Sequence, residues 1–186
     1  GLESLEKDFF RAELRKSGSP LWLATVGVGK ASAALGTLDA LTRHPTRLAV
    51  LVGCAGALPN NGLDIGDVVI SETAIFADEG VETEDVFLDM EALGLELGRS
   101  RDGLPLYNEV PLSRPPADSR LRAQGDTFAI HSGRVATVST CSGTDARAAR
   151  IGERWQAVAE NMEGAAVALA AHRLDVPLFE LRGISN

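Results

Sequence analysis

Ala159-Glu160-Asn161-Met162-Glu163-Gly164-Ala165-Ala166 sets an acidic residue, Glu163, where a short apolar strand passes into an alanine-rich helix. After that helix, Leu181-Arg182-Gly183-Ile184-Ser185-Asn186 ends a second apolar strand in a polar Ser-Asn pair. A strand, a helix and a strand in succession are the unit of an α/β sheet, and ligands of such sheets gather beyond the carboxyl ends of the strands. A carboxylate at that junction can accept two hydrogen bonds from a vicinal diol, and an amide at a strand end can read the edge of a flat base. The two stretches together predict a nucleoside pocket.

The same alternation extends upstream. Residues 21–26 read as a short strand entering the turn Gly27-Val28-Gly29-Lys30, and residues 31–43 as a helix stopped by His44-Pro45. Residues 48–52 are a continuous apolar strand of the kind buried on both faces of a parallel sheet. A loop with Gly53, Gly56, Pro59 and Gly62 follows, then Asp64-Ile65-Gly66-Asp67 and a strand over 68–70. Further strands are predicted at 134–140, 157–159 and 177–184, with helices at 145–155 and 163–173. Leu2, Leu5, Phe9, Phe10 and Leu14 share one face at helical spacing, which predicts an amphipathic helix over 2–16, broken at Ser17-Gly18-Ser19-Pro20. Residues 78–128, acidic at first and rich in Pro and Arg from 110 to 120, read as an excursion over the sheet. The expected fold is α/β, a three-layer sandwich whose central mixed, mostly parallel sheet is flanked by helices, in a single domain over 1–186.

Composition narrows the function. A net charge of −8 repels a phosphate backbone, so no nucleic-acid partner is expected, whereas a local nucleoside pocket is compatible with it. No apolar run approaches the ~18 residues of a membrane span, so no membrane partner is expected. Cys54 and Cys141 lack a CxxC spacing and read as reduced thiols of a cytoplasmic protein. His44, His131 and His172 stand at no spacing that would serve a cysteine nucleophile or a metal, so neither a metal nor a cofactor is expected; His172 reads as a surface residue.

Single motifs are weaker than their combination. Val26-Gly27-Val28-Gly29-Lys30 fails the Walker spacing and GxGxxG; a tight turn is the simpler reading, and backbone N–H groups facing a ribose, a water or an anion the functional one. Gly53-Cys54-Ala55-Gly56 is small enough to let a flat ligand approach the backbone. Asp64 and Asp67 read as a solvated turn, and the acidic run from Asp78 to Asp89 as a solvated face. Glu163 at a helix start complements the dipole in any case, but Met162 beside it suits the wall of a sugar pocket. Four strands end in small or polar residues: Gly27-Val28-Gly29, Gly53-Cys54-Ala55-Gly56, Thr140-Cys141-Ser142-Gly143 and Ser185-Asn186. If those strands are parallel neighbours, their ends converge.

These pieces, in this order, resemble the nucleoside phosphorylase and nucleosidase superfamily, particularly its methylthioadenosine/adenosylhomocysteine nucleosidase branch. Asn161-Met162-Glu163-Gly164 is similar to the family's ribose-binding Met-Glu motif, and Arg182 to Asn186 to its purine-binding strand end. The resemblance implies Glu163 and Asn186 as catalytic residues. It implies Met162, Ser185, Arg182, Cys54, Ala55, Gly56, Cys141, Ser142 and Gly143 as substrate-binding ones. It also implies a homo-oligomer, and a chain that lacks the family's first strand and C-terminal helix. The family's water-activating glutamate follows that first strand, upstream of Gly1. Glu3 and Glu6 fit the amphipathic helix better, so no base is assigned.

Two features point to the futalosine hydrolase branch. Adenine nucleosidases of the family carry Asp where this chain has Asn186, and a neutral amide can donate to the N7 and O6 acceptors of a 6-oxopurine such as hypoxanthine. Ala77-Asp78-Glu79-Gly80-Val81-Glu82-Thr83 also resembles that branch. The implied reaction converts futalosine to hypoxanthine and dehypoxanthinylfutalosine, a step of menaquinone biosynthesis. Where the family's phosphorylases place a phosphate-gripping arginine, this chain has Leu51, which favours water over phosphate as nucleophile. The alternatives are an adenine-type nucleosidase, a purine nucleoside phosphorylase, and a nucleoside-binding protein without catalysis.

Overall fold

The computed structural model describes residues 3–6, 9–13, 20–100, 102–114 and 128–186. Leu2, Leu14, the break at Ser17-Gly18-Ser19 and the Pro/Arg-rich stretch beyond Arg114 lie outside the described residues. In chain order the elements are β1 (Glu3–Glu6), β2 (Phe9–Glu13), β3 (Pro20–Ala24), α1 (Lys30–Arg43), β4 (Ala49–Ala57), β5 (Val68–Phe76), β6 (Gly80–Glu82) and β7 (Phe87–Asp89). There follow β8 (Gly98–Arg99), β9 (Pro105–Leu106), β10 (Glu109–Pro111), β11 (Ile130–Thr137), α2 (Asp145–Trp155), β12 (Ala157–Asn161), α3 (Gly164–Arg173) and β13 (Leu178–Ile184).

The main sheet runs β10-β5-β11-β12-β4-β13, and β13 also pairs with β5. Five of its strands therefore close on themselves. Every one contributes a small or branched side chain to the buried cluster Ala55, Val69, Val135, Ala159 and Ile184. The ladders are mixed. The longest, β5 with β11 and β4 with β13, are parallel, while β10–β5, β12–β4 and β13–β5 are short and antiparallel. Helices cover two faces. Helices α1 and α3 pack on a cluster with Ala74, Phe76 and Val110, and α2 packs through Ile151 and Trp155 on Ile75, Ala136 and Val138. This is the layered, mixed α/β arrangement expected from the sequence.

Helix α3 buries Gly164, Ala165, Ala166, Val167, Ala168, Ala170 and Ala171, and these small side chains let its axis lie close to the sheet. Helix α2 begins at Thr144, whose hydroxyl accepts from Arg147 N, and the Trp155 indole N–H donates to Ala77 O at 3.0 Å.

Three expectations are corrected. The amphipathic helix over 2–16 is instead the pair β1 and β2, antiparallel and joined to β3 in a separate three-stranded sheet. Tertiary pairing overrides the spacing there, and adjacent Phe9 and Phe10 suit a strand as readily as a helix. Consequently the strand ending before Gly27 is not a neighbour in the main sheet. Residues 53–57, expected as a loop, continue β4, because β13 pairs with them up to Ala55 and β12 at Gly56 and Ala57. Asp67, expected in a solvated turn, is buried.

Candidate nucleoside site at the ends of β4, β12 and β13

Glu163 is the N-cap residue of α3, and its side chain faces the start of another helix. Its Oε1 accepts from Gly29 N, the N-cap amide of α1, at 3.2 Å, and its Oε2 lies 3.3 Å from Arg182 Nη1. Gly29 reaches this position with φ +82°, which glycine adopts without strain. The turn Gly27-Val28-Gly29 does offer its backbone to an anion, and that anion is the protein's own carboxylate. Two helix N-termini and a guanidinium thus stabilise one negative charge.

Behind Glu163 lies a buried polar network. Asn161 Oδ1 accepts from Glu163 N at 3.1 Å, Gly164 N at 2.9 Å and the Thr137 hydroxyl at 3.0 Å, while Asn161 Nδ2 donates to Glu180 Oε1 at 3.0 Å. Arg182 Nε donates to the same Glu180 oxygen at 2.8 Å, and its Nη1 also reaches Cys54 O at 3.2 Å. Glu180 and Arg182, 0% and 2% exposed, are held without bulk water. A Cβ at Gly53 would overlap Arg182 Nη1, and a Cβ at Gly164 would overlap Glu180 Oε1, so both glycines make room for the network.

The second part of the site is a cavity of about 500 Å³ whose lining includes Gly56, Asn60, Ser142, Gly143, Glu160 and Asn186. Asn186 lies over Gly56: a Cβ there would sit 2.9 Å from Asn186 Nδ2. Ser185 Oγ is 2.9 Å from Asn186 Oδ1 and 3.3 Å from Ala55 O, which holds the Asn186 amide at the end of β13. Ser185 N donates to Ala55 O at 3.0 Å, tying the strand end to β4. Glu160 is buried, with Oε1 accepting from Ser142 N at 2.6 Å and Oε2 from the Ser142 hydroxyl at 2.8 Å.

Of the residues expected from the sequence, Gly56, Ser142, Gly143 and Asn186 meet in the cavity, while Glu163, Arg182 and the Cys54 carbonyl meet beside it. Glu163 is not among the cavity's lining residues. Strand β4 contributes to both parts, with Gly53 against Arg182 and Gly56 against Asn186. Cys141 senses both. Cys141 is exposed, but partial desolvation pushes its thiol above the ordinary value, and the charges of Glu160 and then Glu163 raise it further. Met162 is half-buried, and Ala55 is buried in the closed sheet.

Glu160, Asn161, Thr137 and Glu180 were not singled out from the sequence. Glu180 had a signal, since two-residue spacing places it on the same face of an apolar strand as Arg182. Lys30, at the start of α1, pairs with both Asp78 and Glu79, and Asp78 also accepts from Ser139 N at 2.7 Å. The head of the acidic run is therefore structural rather than merely solvated. Among the described residues no group of three or more His, Cys, Asp and Glu could hold a metal ion, and no helix is long and apolar enough to cross a membrane.

The chain is 37% identical over 170 residues to a futalosine hydrolase of Streptomyces coelicolor, covering 88% of this chain and 66% of that relative, just under two thirds of its length. It is 28% identical over 180 residues to a 5′-methylthioadenosine/S-adenosylhomocysteine nucleosidase of Bacillus thuringiensis, covering 96% of this chain and 72% of that one. Its fold is similar to a nucleosidase of that kind from Colwellia psychrerythraea, solved with adenine, at TM-score 0.77 and 24% identity over 98% of this chain and 72% of that structure. The family model of the phosphorylase superfamily matches residues 3–186, and the chain belongs to that superfamily.

Proposed function

We propose that the protein is an N-ribosyl hydrolase of a 6-oxopurine nucleoside, with futalosine as substrate and hypoxanthine and dehypoxanthinylfutalosine as products, acting in menaquinone biosynthesis. The observation that carries this reading is the neutral amide of Asn186 over Gly56 in the cavity, together with the carboxylate of Glu163 clamped by Gly29 N and Arg182. The similarity to futalosine hydrolases supports it, and so does Leu51, which packs against the α1 and α3 core rather than offering a cation to phosphate. A homo-oligomer in the cytoplasm is part of the proposal.

In hydrolysis the C1′–N9 bond breaks, its electron pair leaves with the base, and the oxygen of water forms the new bond to C1′ and loses one proton, which balances the proton the base gains. Positive charge builds on the ribose and negative charge on the purine. Glu163 accepts from the ribose hydroxyls and places its charge near the developing cation, already oriented by Gly29 N and Arg182. Met162 lies against the sugar. Asn186 Nδ2 donates to the purine's N7/O6 edge and stabilises the charge that collects there, until a proton delivered through water reaches N7. Gly56 leaves room for the Asn186 amide that meets the ring's edge, and the loop Cys141-Ser142-Gly143 bounds the ring's far side.

The test compares full-length protein on futalosine and on methylthioadenosine. Release of hypoxanthine with the higher kcat/KM supports the reading, and preferential release of adenine rejects it in favour of the adenine-type nucleosidase.

A further inference from the structure

We infer that Glu160 selects the 6-oxopurine by accepting its N1–H, an inference that rests on the proposed hydrolase reading and adds a second determinant to Asn186. Glu160 and Gly56 are paired across the antiparallel β12–β4 ladder, so the Glu160 side chain leaves the sheet on the face where Gly56 has none. Asn186 occupies the space over Gly56 from the other side, since β4 pairs with β13 on that edge. A carboxylate and an amide therefore flank a bare glycine. The cavity they line, about 500 Å³, has room for a flat bicyclic ring. All three residues line the same cavity.

The carboxylate is buried, yet it is built to face a ligand. Ser142 donates to it twice, through its amide and its hydroxyl, which fixes its plane and leaves acceptor capacity on both oxygens. An ionised carboxylate only accepts, so whatever meets it must donate. A 6-oxopurine presents N1–H beside O6, matching Glu160 and Asn186 Nδ2 in turn. A 6-aminopurine presents a bare N1 lone pair, which a carboxylate repels. The pair thus rewards one purine class and penalises the other at two separate atoms.

The experiment measures calorimetric binding of hypoxanthine and of 1-methylhypoxanthine, in which a methyl group replaces the N1–H, to full-length wild type and to the Glu160→Gln and Glu160→Ala variants. In wild type the methyl compound should bind about 10- to 100-fold more weakly, the usual range for losing a hydrogen bond to a charged group. Glu160→Gln should narrow that ratio and Glu160→Ala should abolish it, while adenine gains on hypoxanthine in Glu160→Gln because a glutamine amide can donate to N1. A merely structural role for Glu160 would weaken both ligands and leave their ratio unchanged. Equal binding of the two compounds by wild type, or a ratio that neither variant moves, overturns the inference while leaving hypoxanthine release intact. Release of adenine in preference to hypoxanthine rejects the hydrolase reading itself, and this inference with it.

Discussion

Glu163 illustrates how one side chain is oriented by its neighbours inside the protein. Its carboxylate is fixed by a helix-start amide and a guanidinium before any sugar arrives. Glu163→Gln keeps the shape and loses the charge, so kcat/KM for hypoxanthine release should fall about 10²- to 10³-fold, as on removal of one preorganised electrostatic group. Steady-state kinetics check this, with an unchanged circular dichroism spectrum as the control for folding. Arg182 is a different case, because Glu180 depends on it inside the protein. Arg182→Met leaves that carboxylate buried without its cation and should cost about 3–5 kcal/mol in a denaturant titration. Adding Glu180→Leu should recover much of the loss, since an apolar pair replaces an ionic one. Glu163 and Asn186 were legible in the sequence because each stands at a strand end among small residues. Asn161 was not, because its role is to hold the backbone of its own helix start, and a residue's partners are invisible in the chain alone.

At the scale of elements, the periodic segments were legible and the pairings were not. Helix α2 spans the expected residues, and α1 and α3 differ from expectation by one residue at their starts. The errors fall where a contact distant in sequence decides the conformation. Gly53 and Gly56 look like loop residues until β13 and β12 pair with them, and the segment from Glu3 to Glu13 looks helical until β3 supplies a ladder. Asp67 has the same origin. It accepts from Ala129 N at 2.7 Å and Asp64 N at 3.0 Å and lies 3.1 Å from His131 Nε2, joining the entry of β5 to the segment before β11. The backbone of the same residue accepts from Ile184 N, one position before Ser185. The bond from Ala129 N, then that from Asp64 N, hold its carboxyl below the ordinary value of 3.8 despite burial. The folded protein therefore favours the charged form, and the resulting stability is present above pH 3.8 and lost as pH falls through the lower folded value. Asp67→Asn should lower Tm at pH 7, and the gap to wild type should close as the pH is taken below about 4. Thermal melts across that range check both halves of the expectation.

For the whole molecule, the closed five-stranded sheet brings the ends of β4, β12 and β13 together, and a cavity is lined by residues at all three. A ligand seated there contacts several strands at once, so its binding should be felt globally. Hypoxanthine at 100 times its Kd should add about 2.7 kcal/mol to the stability of the full-length protein, and adenine at equal concentration should add less. Differential scanning fluorimetry reads the difference as the larger Tm shift. A crystal structure of the protein with bound hypoxanthine tests this site without a kinetic intermediary. The ring is expected in the cavity lined by Gly56, Ser142, Glu160 and Asn186, with Asn186 Nδ2 within hydrogen-bond distance of O6 or N7 and the N9 edge turned toward Glu163. A ring bound elsewhere, or one in this cavity whose N9 edge points away from Glu163, would contradict that expectation.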